Sequence, residues 1–446
     1  MVDLSRDPLR ESFAPFAQAA LSFYHHMDTT FIRPKLRWPI DMSMHTLDGQ
    51  QVFVVQCPIG ISSTPLCLLP GFAPIVAQLD GSRTSEDLVA HFGPQGLTPE
   101  LLKQLIQLLD DHLFLENARF ISAEKMARDA FEISVVRPAA LAGGGYPVDK
   151  GMLESLVRGY LQPFEGPQEK RALSCLIAPH IDYRRGGACY GAAYPRLAES
   201  EADLYILIGT AHQYSPLLYH LCAKDFESPL GRHPCDIEFV TKLAQRYGVE
   251  RSFKDQYLHR REHSLELQLP FFGAVRPGAK IVPILVGGFH EMVEARRYPE
   301  ELEKYESFAG ALAELWRERT ARGEKIAILA GVDMAHIGRS FGDQGSLSPE
   351  KMREIAARDA QYLSAIERGD KRVLFDHIAE DNDARRICGF PTMYTVLDVL
   401  ARVGIKSDCE ILRYDQAVDY QTDCAVTYAG VALYQQSANH QIIGPL

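Results

Sequence analysis

Three times along this chain a short, wholly apolar run is cut off by Gly or Pro and then followed by a histidine. LSCLIA (Leu173–Ala178) meets Pro179 and His180. LYILI stops at Gly209, with His212 after it, and IAILA stops at Gly331, with Asp333 and His336 after it. Continuous apolar runs of this length, without polar alternation, read as strands covered on both faces. Tyr219–Ala223, Ile281–Val286, Glu410–Tyr414 and Ala425–Tyr434 read as further strands. Helical patterns fall between them at Lys150–Leu161, Ser307–Arg322, Lys351–Arg368, Val373–Ile378 and Ile387–Leu400. Such alternation predicts, from residue 146 onward, an α/β domain with a mixed central sheet and helices on both faces. Gly186-Gly187 are expected to open the chain into a loop after the first of these strands.

The amino-terminal part has a different rhythm. Residues 1–28 are expected to form an amphipathic helix. In Met44–Gln56, Asp48-Gly49 between apolar runs signals a hairpin. Leu68–Leu115 then reads as a small helical unit, in which Ser85 caps one helix and Pro99 opens the next. Leu101, Leu102, Leu105, Leu108, Leu109 and Leu113 form the apolar stripe of that last helix. A hairpin with three helices predicts a winged-helix-like domain over residues 29–122. The Gly-rich stretch within 123–145 suits a flexible link.

Composition narrows the function. A chain of 446 residues implies two domains. With 47 Lys and Arg against 58 Asp and Glu, the net charge of −11 argues against a broad nucleic-acid surface. The nine cysteines are scattered with no CxxC pair, which disfavours zinc fingers and suits a reducing cytoplasm. The longest early apolar stretch, Phe13–Tyr24, is too short to span a membrane and lacks a basic start, so neither a membrane span nor a signal is expected.

The chemistry concentrates at the strand ends. In an open parallel sheet, ligands bind in the crevice beyond the carboxyl ends, so His180, His212 and the Asp333/His336 pair are expected to meet there. In YLHRREHSLELQLPFF (Tyr257–Phe272), read as a helix closed by Pro270, His263 and Glu266 share a face at i, i+3. Glu262 and Glu266 repel at i, i+4 unless a cation lies between them, and Glu262 reads equally well as part of a solvated face. Cys388-Gly389 opens an apolar helix, where the dipole favours a thiolate and Gly allows close backbone approach. Two imidazoles with one thiolate or carboxylate make a three-ligand site with open positions, suited to iron, copper or zinc. His180, His212 and Cys388 could supply it, leaving Asp333, His336, His263 and Glu266 as orienting or acid–base groups.

IAPHIDY (Ile177–Tyr183), ILIGTAHQ (Ile206–Gln213), REHSLELQLPFF (Arg261–Phe272), IVPILVG (Ile281–Gly287), GVDMAHIG (Gly331–Gly338), ICGFP (Ile387–Pro391) and TYAGVAL (Thr427–Leu433) together resemble the Memo family. Its bacterial members are called AmmeMemoRadiSam system protein B. The resemblance implies a fold similar to the class III extradiol dioxygenases and a metal on His180, His212 and Cys388. It places Asp333 and His336 in the family's DxxH element and Glu262, His263 and Glu266 in its EHSxE element. The system's name implies radical-SAM and AMMECR-type partners. Two departures fall near the site: Asp182 adds a carboxylate after His180, and Gln213 stands where a second His often follows His212. LDGSRTSEDLVAHF (Leu79–Phe92) and LLKQLIQLLDDHLFLEN (Leu101–Asn117) resemble the PqqD-like domain, a peptide-binding winged helix, which implies a peptide ligand at the amino-terminal domain. The expected function is an iron- or copper-dependent redox enzyme. The alternatives are a metal- or peptide-binding accessory protein and a zinc hydrolase.

Overall fold

A computed structural model describes residues 31–47, 49–62, 64–164, 171–198 and 200–436. The helix expected over residues 1–28 lies outside them. The chain divides into two units, Met1–Ile133 and Ser134–Leu446. Among the described residues no helix is long and apolar enough to cross a membrane.

In the first unit the hairpin pairs β1 (Asp41–Leu47) antiparallel with β2 (Gln50–Gln56), turning through Gly49 at φ +79°, and β3 (Leu66–Leu68) adds on the far side of β2. Helix α1 (Ser85–Phe92) is capped by Thr84, not by Ser85. The Thr84 hydroxyl accepts the Asp87 N–H while the Asp87 carboxylate accepts the Thr84 N–H, satisfying two donors that the helix start leaves open. Helix α2 (Pro99–Asp111) begins on its proline and buries Leu102, Leu105 and Leu109, whereas Leu108 stays exposed. Residues 118–133 form helix α3 (Ala118–Ile133), so the first part of the link expected over 123–145 is helical.

The link is absent from the second unit too. β4 (Val136–Arg137) pairs in parallel with β8 (Asp225–Ser228), which pairs in turn with β9 (Gly231–His233). The small residues after Pro138 supply backbone N–H groups to a buried carboxylate and do not hang free. After α4 (Lys150–Leu161) comes an eight-stranded mixed sheet. Its central strands are parallel and lie in the order β5 (Leu173–Ala178), β11 (Ile326–Gly331), β6 (Leu204–Thr210), β10 (Lys280–Val286). Antiparallel strands flank them: β7 (Tyr219–Leu221) beside β10, and β14 (Cys424–Gln435) beside β5. β14 carries β12 (His336–Ile337) and β13 (Ser407–Asp419).

Both faces of the four central strands are covered, which explains their unbroken apolar runs. Cys175, Ile177, Ile206, Ile208, Val282, Ile284, Ile328 and Ala330 alternate onto one face. They pack with side chains of α6 (Ile237–Tyr247), α9 (Glu303–Thr320) and α10 (Phe390–Arg402). The residues between them, including Leu176, Leu207 and Leu329, are equally buried on the other side. α5 (Tyr183–Ala198) lies against β5, β13 and β14 there. It runs straight through Gly186-Gly187, so those glycines do not open a loop. A Cβ on Gly187 would fall within 2.2 Å of the Tyr160 ring of α4, so the missing side chains let two helices meet.

Candidate metal centre

The carboxyl ends of the central strands are level. Gly331 pairs with Ala178 on one side and with Gly209 on the other. His180, His212 and Asp333 each follow two residues beyond the last residue of their strand, so the same short reach brings all three to one place. The expected convergence at this edge is what the fold delivers.

A fourth element completes the cluster. Residues 256–275 are not one helix but a 3-10 turn, the single turn α7 (His263–Glu266) and α8 (Leu269–Val275), with Pro270 in the first turn of α8 where proline is favoured. α7 lies across the strand ends. A Cβ on Gly331 would stand 2.2 Å from the Ser264 carbonyl oxygen, so only glycine admits the turn. His263 therefore projects onto the other two imidazoles. Ring centroids are 4.3 Å apart for His212 and His263, 4.9 Å for His180 and His212, and 5.2 Å for His180 and His263. One ring nitrogen of each lies within 4.8 Å of those of the other two, a spacing that can hold a metal ion.

The other nitrogen of each ring is spoken for. His180 Nδ1 donates to the Gly331 carbonyl at 3.0 Å. His212 Nδ1 donates to Glu262 Oε1 at 2.9 Å, and His263 Nδ1 lies 3.2 Å from the same oxygen. Carbonyls and carboxylates only accept, so the protons sit on Nδ1 and the lone pairs on Nε2, where that of His180 accepts from the Cys388 thiol at 3.3 Å. Outer partners fix metal-binding imidazoles in this way. Glu262 also accepts the His212 and Ser264 N–H groups, at 2.9 and 3.0 Å. It is buried, not part of a solvated face. Burial alone would raise its pKa, but His212 and His263 hold it well below the usual carboxylate range. The same bond works on His263: burial opposes its charge, yet Glu262 raises its pKa. Burial, reinforced by His212 and His263, pushes His180 well down, so that ring is neutral, the state a ligand needs.

Asp333 and Cys388 close the far side. Asp333 Oδ1 accepts the His180 N–H at 2.8 Å and the Ile181 N–H at 3.3 Å. Burial raises its pKa, and His336 pulls in the opposite direction. His336 donates Nδ1–H to the Met334 carbonyl at 3.1 Å, and burial lowers its pKa. Cys388 precedes α10, as expected, with Sγ 3.3 Å from His180 Nε2. A Cβ on Gly389 would stand 2.5 Å from the Asp333 carbonyl oxygen, the close backbone approach expected of the Cys-Gly pair. The expected thiolate is not what the surroundings favour. Burial and then Asp333 drive the thiol well above its ordinary pKa, outweighing the helix dipole. The segment that delivers Cys388 is bent, with Asn382, Asp383 and Arg386 all at φ between +51° and +53°.

Two expected participants lie elsewhere. Glu266 turns away from the imidazoles. Its carboxylate takes up the Arg137 guanidinium, the N–H groups of Ala140 and Leu141 at 3.1 and 2.7 Å, and the Tyr146 hydroxyl at 2.5 Å. The cation that relieves the Glu262/Glu266 repulsion is thus Arg137, from a strand 129 positions away in sequence, and Glu266 is not an acid–base group of the cluster. Asp182 pairs with Arg185 at 2.5 Å at the start of α5.

A cavity of about 450 Å³ runs from His212 and Cys388 out beneath the ends of β6 and β10. Leu218, Phe289, Met292 and Phe390 give it an apolar wall, and Lys304 and Arg386 share its lining with Glu291 and Asp383.

Residues 137–432 match the family model described as Memo-like protein. A MEMO1 family protein of Aquifex aeolicus is 28% identical over 388 residues, covering 86% of this chain and 96% of its own length. That match is longer than Ser134–Leu446, so it reaches into the first unit. A MEMO1 family protein of Thermococcus kodakarensis is 27% identical over 308 residues, 67% of this chain and 99% of its own. One of Thermus thermophilus is 29% identical over 295 residues, 64% of this chain and 81% of its own.

Proposed function

The chain belongs to the Memo family, and from that premise we propose that its second unit binds one transition-metal ion and carries out redox chemistry on a small substrate. The observation behind this reading is the set of three imidazoles whose Nδ1 atoms each face an acceptor, with the Cys388 sulfur 3.3 Å from Nε2 of His180. His180, His212, His263 and Cys388 would be the donors. Imidazole with thiolate suits iron, copper and zinc, and we favour iron or copper. When bound, such an ion supplies one-electron chemistry and a position for dioxygen or a substrate oxygen.

The chain's own residues do the rest. Asp333 anchors the backbone of His180 and so fixes where that ring stands. His336, with Nδ1 committed and Nε2 open, is the group able to take a proton from substrate, and Asp333 is the nearby carboxylate that stabilises the charged ring. The cavity gives a substrate with an apolar part a path to His212 and Cys388. Exposing anaerobic, ferrous-loaded protein to nitric oxide tests the redox reading. A nitric-oxide-dependent paramagnetic signal that disappears in His212→Ala supports it. Retention of zinc alone, with esterase or phosphatase turnover, would favour the hydrolase instead.

One observation favours a second role for the first unit. Among the described residues β1 pairs only with β2, and Met42, Met44 and Leu47 on it are exposed. An edge strand bearing exposed apolar side chains suits an added peptide strand, the property that the PqqD-like resemblance implies. The partner would be a peptide or a radical-SAM or AMMECR-type protein. Pull-down with the full chain tests it, and loss of capture on Met44→Lys is the supporting outcome.

A further inference from the structure

We infer that Arg137 is a positioning residue for the metal centre, acting through the backbone turn that carries Glu262 and His263. The inference rests on the reading of His212 and His263 as metal donors. Arg137 is fully buried, and its guanidinium spans one stretch of chain at several points. Nε donates to the His259 carbonyl at 2.8 Å, Nη2 donates to the Glu262 carbonyl at 3.2 Å, and Nη1 meets the Glu266 carboxylate. Nη1 also donates to Pro138 O at 3.1 Å, and the guanidinium carbon lies 5.4 Å from the Phe226 ring centre. The Arg137 backbone is itself held, because β4 pairs Arg137 with Phe226 of β8.

The bonded positions, 259, 262 and 266, bracket His263. Glu262 is the sensitive one. Its carbonyl is held by Arg137, while its Oε1 serves both imidazoles and the Ser264 N–H. Moving that backbone moves the one oxygen that sets two ring orientations. Only a planar fork with several N–H groups can reach two carbonyls and a carboxylate together. A lysine keeps the charge but offers a single point. Arg137→Lys therefore separates position from charge. Tyr146→Phe removes one neutral bond to the same Glu266 and serves as the milder variant.

The experiment uses the full chain after chelation, at about pH 8, above the ordinary imidazole pKa. Long-range proton–nitrogen correlation of the imidazoles reads the tautomers, and cobalt(II) titration reads affinity. In Arg137→Lys, His212 and His263 are expected to lose their pure Nδ1–H form while His180 and His336 keep theirs. Cobalt(II) should bind about 10-fold or more weakly, the usual cost of disturbing an outer partner. In a Glu262→Gln background, where the shared carboxylate is already gone, the same substitution should change affinity much less. Tyr146→Phe should shift the same two rings by a smaller amount, which decides the matter if Arg137→Lys does not fold. Unchanged His212 and His263 signals with only a lowered melting temperature would overturn the inference. Shifted rings with unchanged cobalt(II) affinity would uphold the positioning and contradict the donor reading.

Discussion

Glu262 Oε1 is shared by two imidazoles: His212 Nδ1 lies 2.9 Å from it and His263 Nδ1 3.2 Å. One buried carboxylate thereby decides which nitrogen two potential ligands present. Glu262→Gln keeps the shape but removes the charge and halves the acceptor capacity. Metal affinity is expected to fall about 10- to 100-fold with the fold retained, measured by competition against a chromophoric chelator. Unchanged affinity would mean that neither ring needs its partner.

Asp333 supports the site from below. Asp333→Ala leaves the His180 and Ile181 N–H groups without their acceptor in a buried place. A loss of about 1–3 kcal/mol is expected in urea unfolding. Asp333→Asn, which keeps an acceptor oxygen, should recover most of that stability. Equal losses in the two variants would contradict this account of Asp333.

Much of this architecture was legible from the chain alone. Strand-end glycines and prolines marked where apolar runs stop, and the level ends of β5, β6 and β11 turned His180, His212 and Asp333 into neighbours. Cys388 was legible through Gly389. The role of Glu262 was not, because it depends on α7 lying across the sheet end, which only the close approach to Gly331 reveals. Glu266 misled for a related reason: its cation, Arg137, sits just before the Gly-rich stretch, within the residues 123–145 that read as a link. Thr84 over Ser85 was a one-residue ambiguity between two good caps, resolved by Asp87 reaching back.

Buried neutral histidines make stability depend on pH. His220 and His233 are buried, and burial pulls each down to about 4; the same cause takes His259 to about 3. The unfolded chain binds these protons near pH 6.5, before the folded one does. The stability these three rings govern is therefore fully present above about pH 6.5 and is lost as pH falls towards 4. The full loss is on the order of 3 kcal/mol for each of His220 and His233. Urea midpoints at pH 8 and pH 5 should differ accordingly, and His233→Gln should flatten the slope. A midpoint independent of pH would contradict the assignment.

The helix contact behind the site gives a packing test. A Cβ at Gly191 of α5 would stand 2.1 Å from the Tyr160 carbonyl oxygen of α4, and backbone cannot step aside as a flexible side chain can. Gly191→Ala is expected to cost about 1–3 kcal/mol by thermal unfolding. No change would mean that α4 and α5 adjust freely.

The central claim is that the imidazole cluster holds a metal. The most direct measurement is metal analysis of full-length protein purified anaerobically, with wild type beside His180→Ala, His263→Ala and Cys388→Ser. The account predicts about one iron or copper ion per chain in the wild type, lost in His180→Ala and reduced in the other two. Equal metal content in the wild type and His180→Ala, or none in folded wild type after reconstitution, would contradict it.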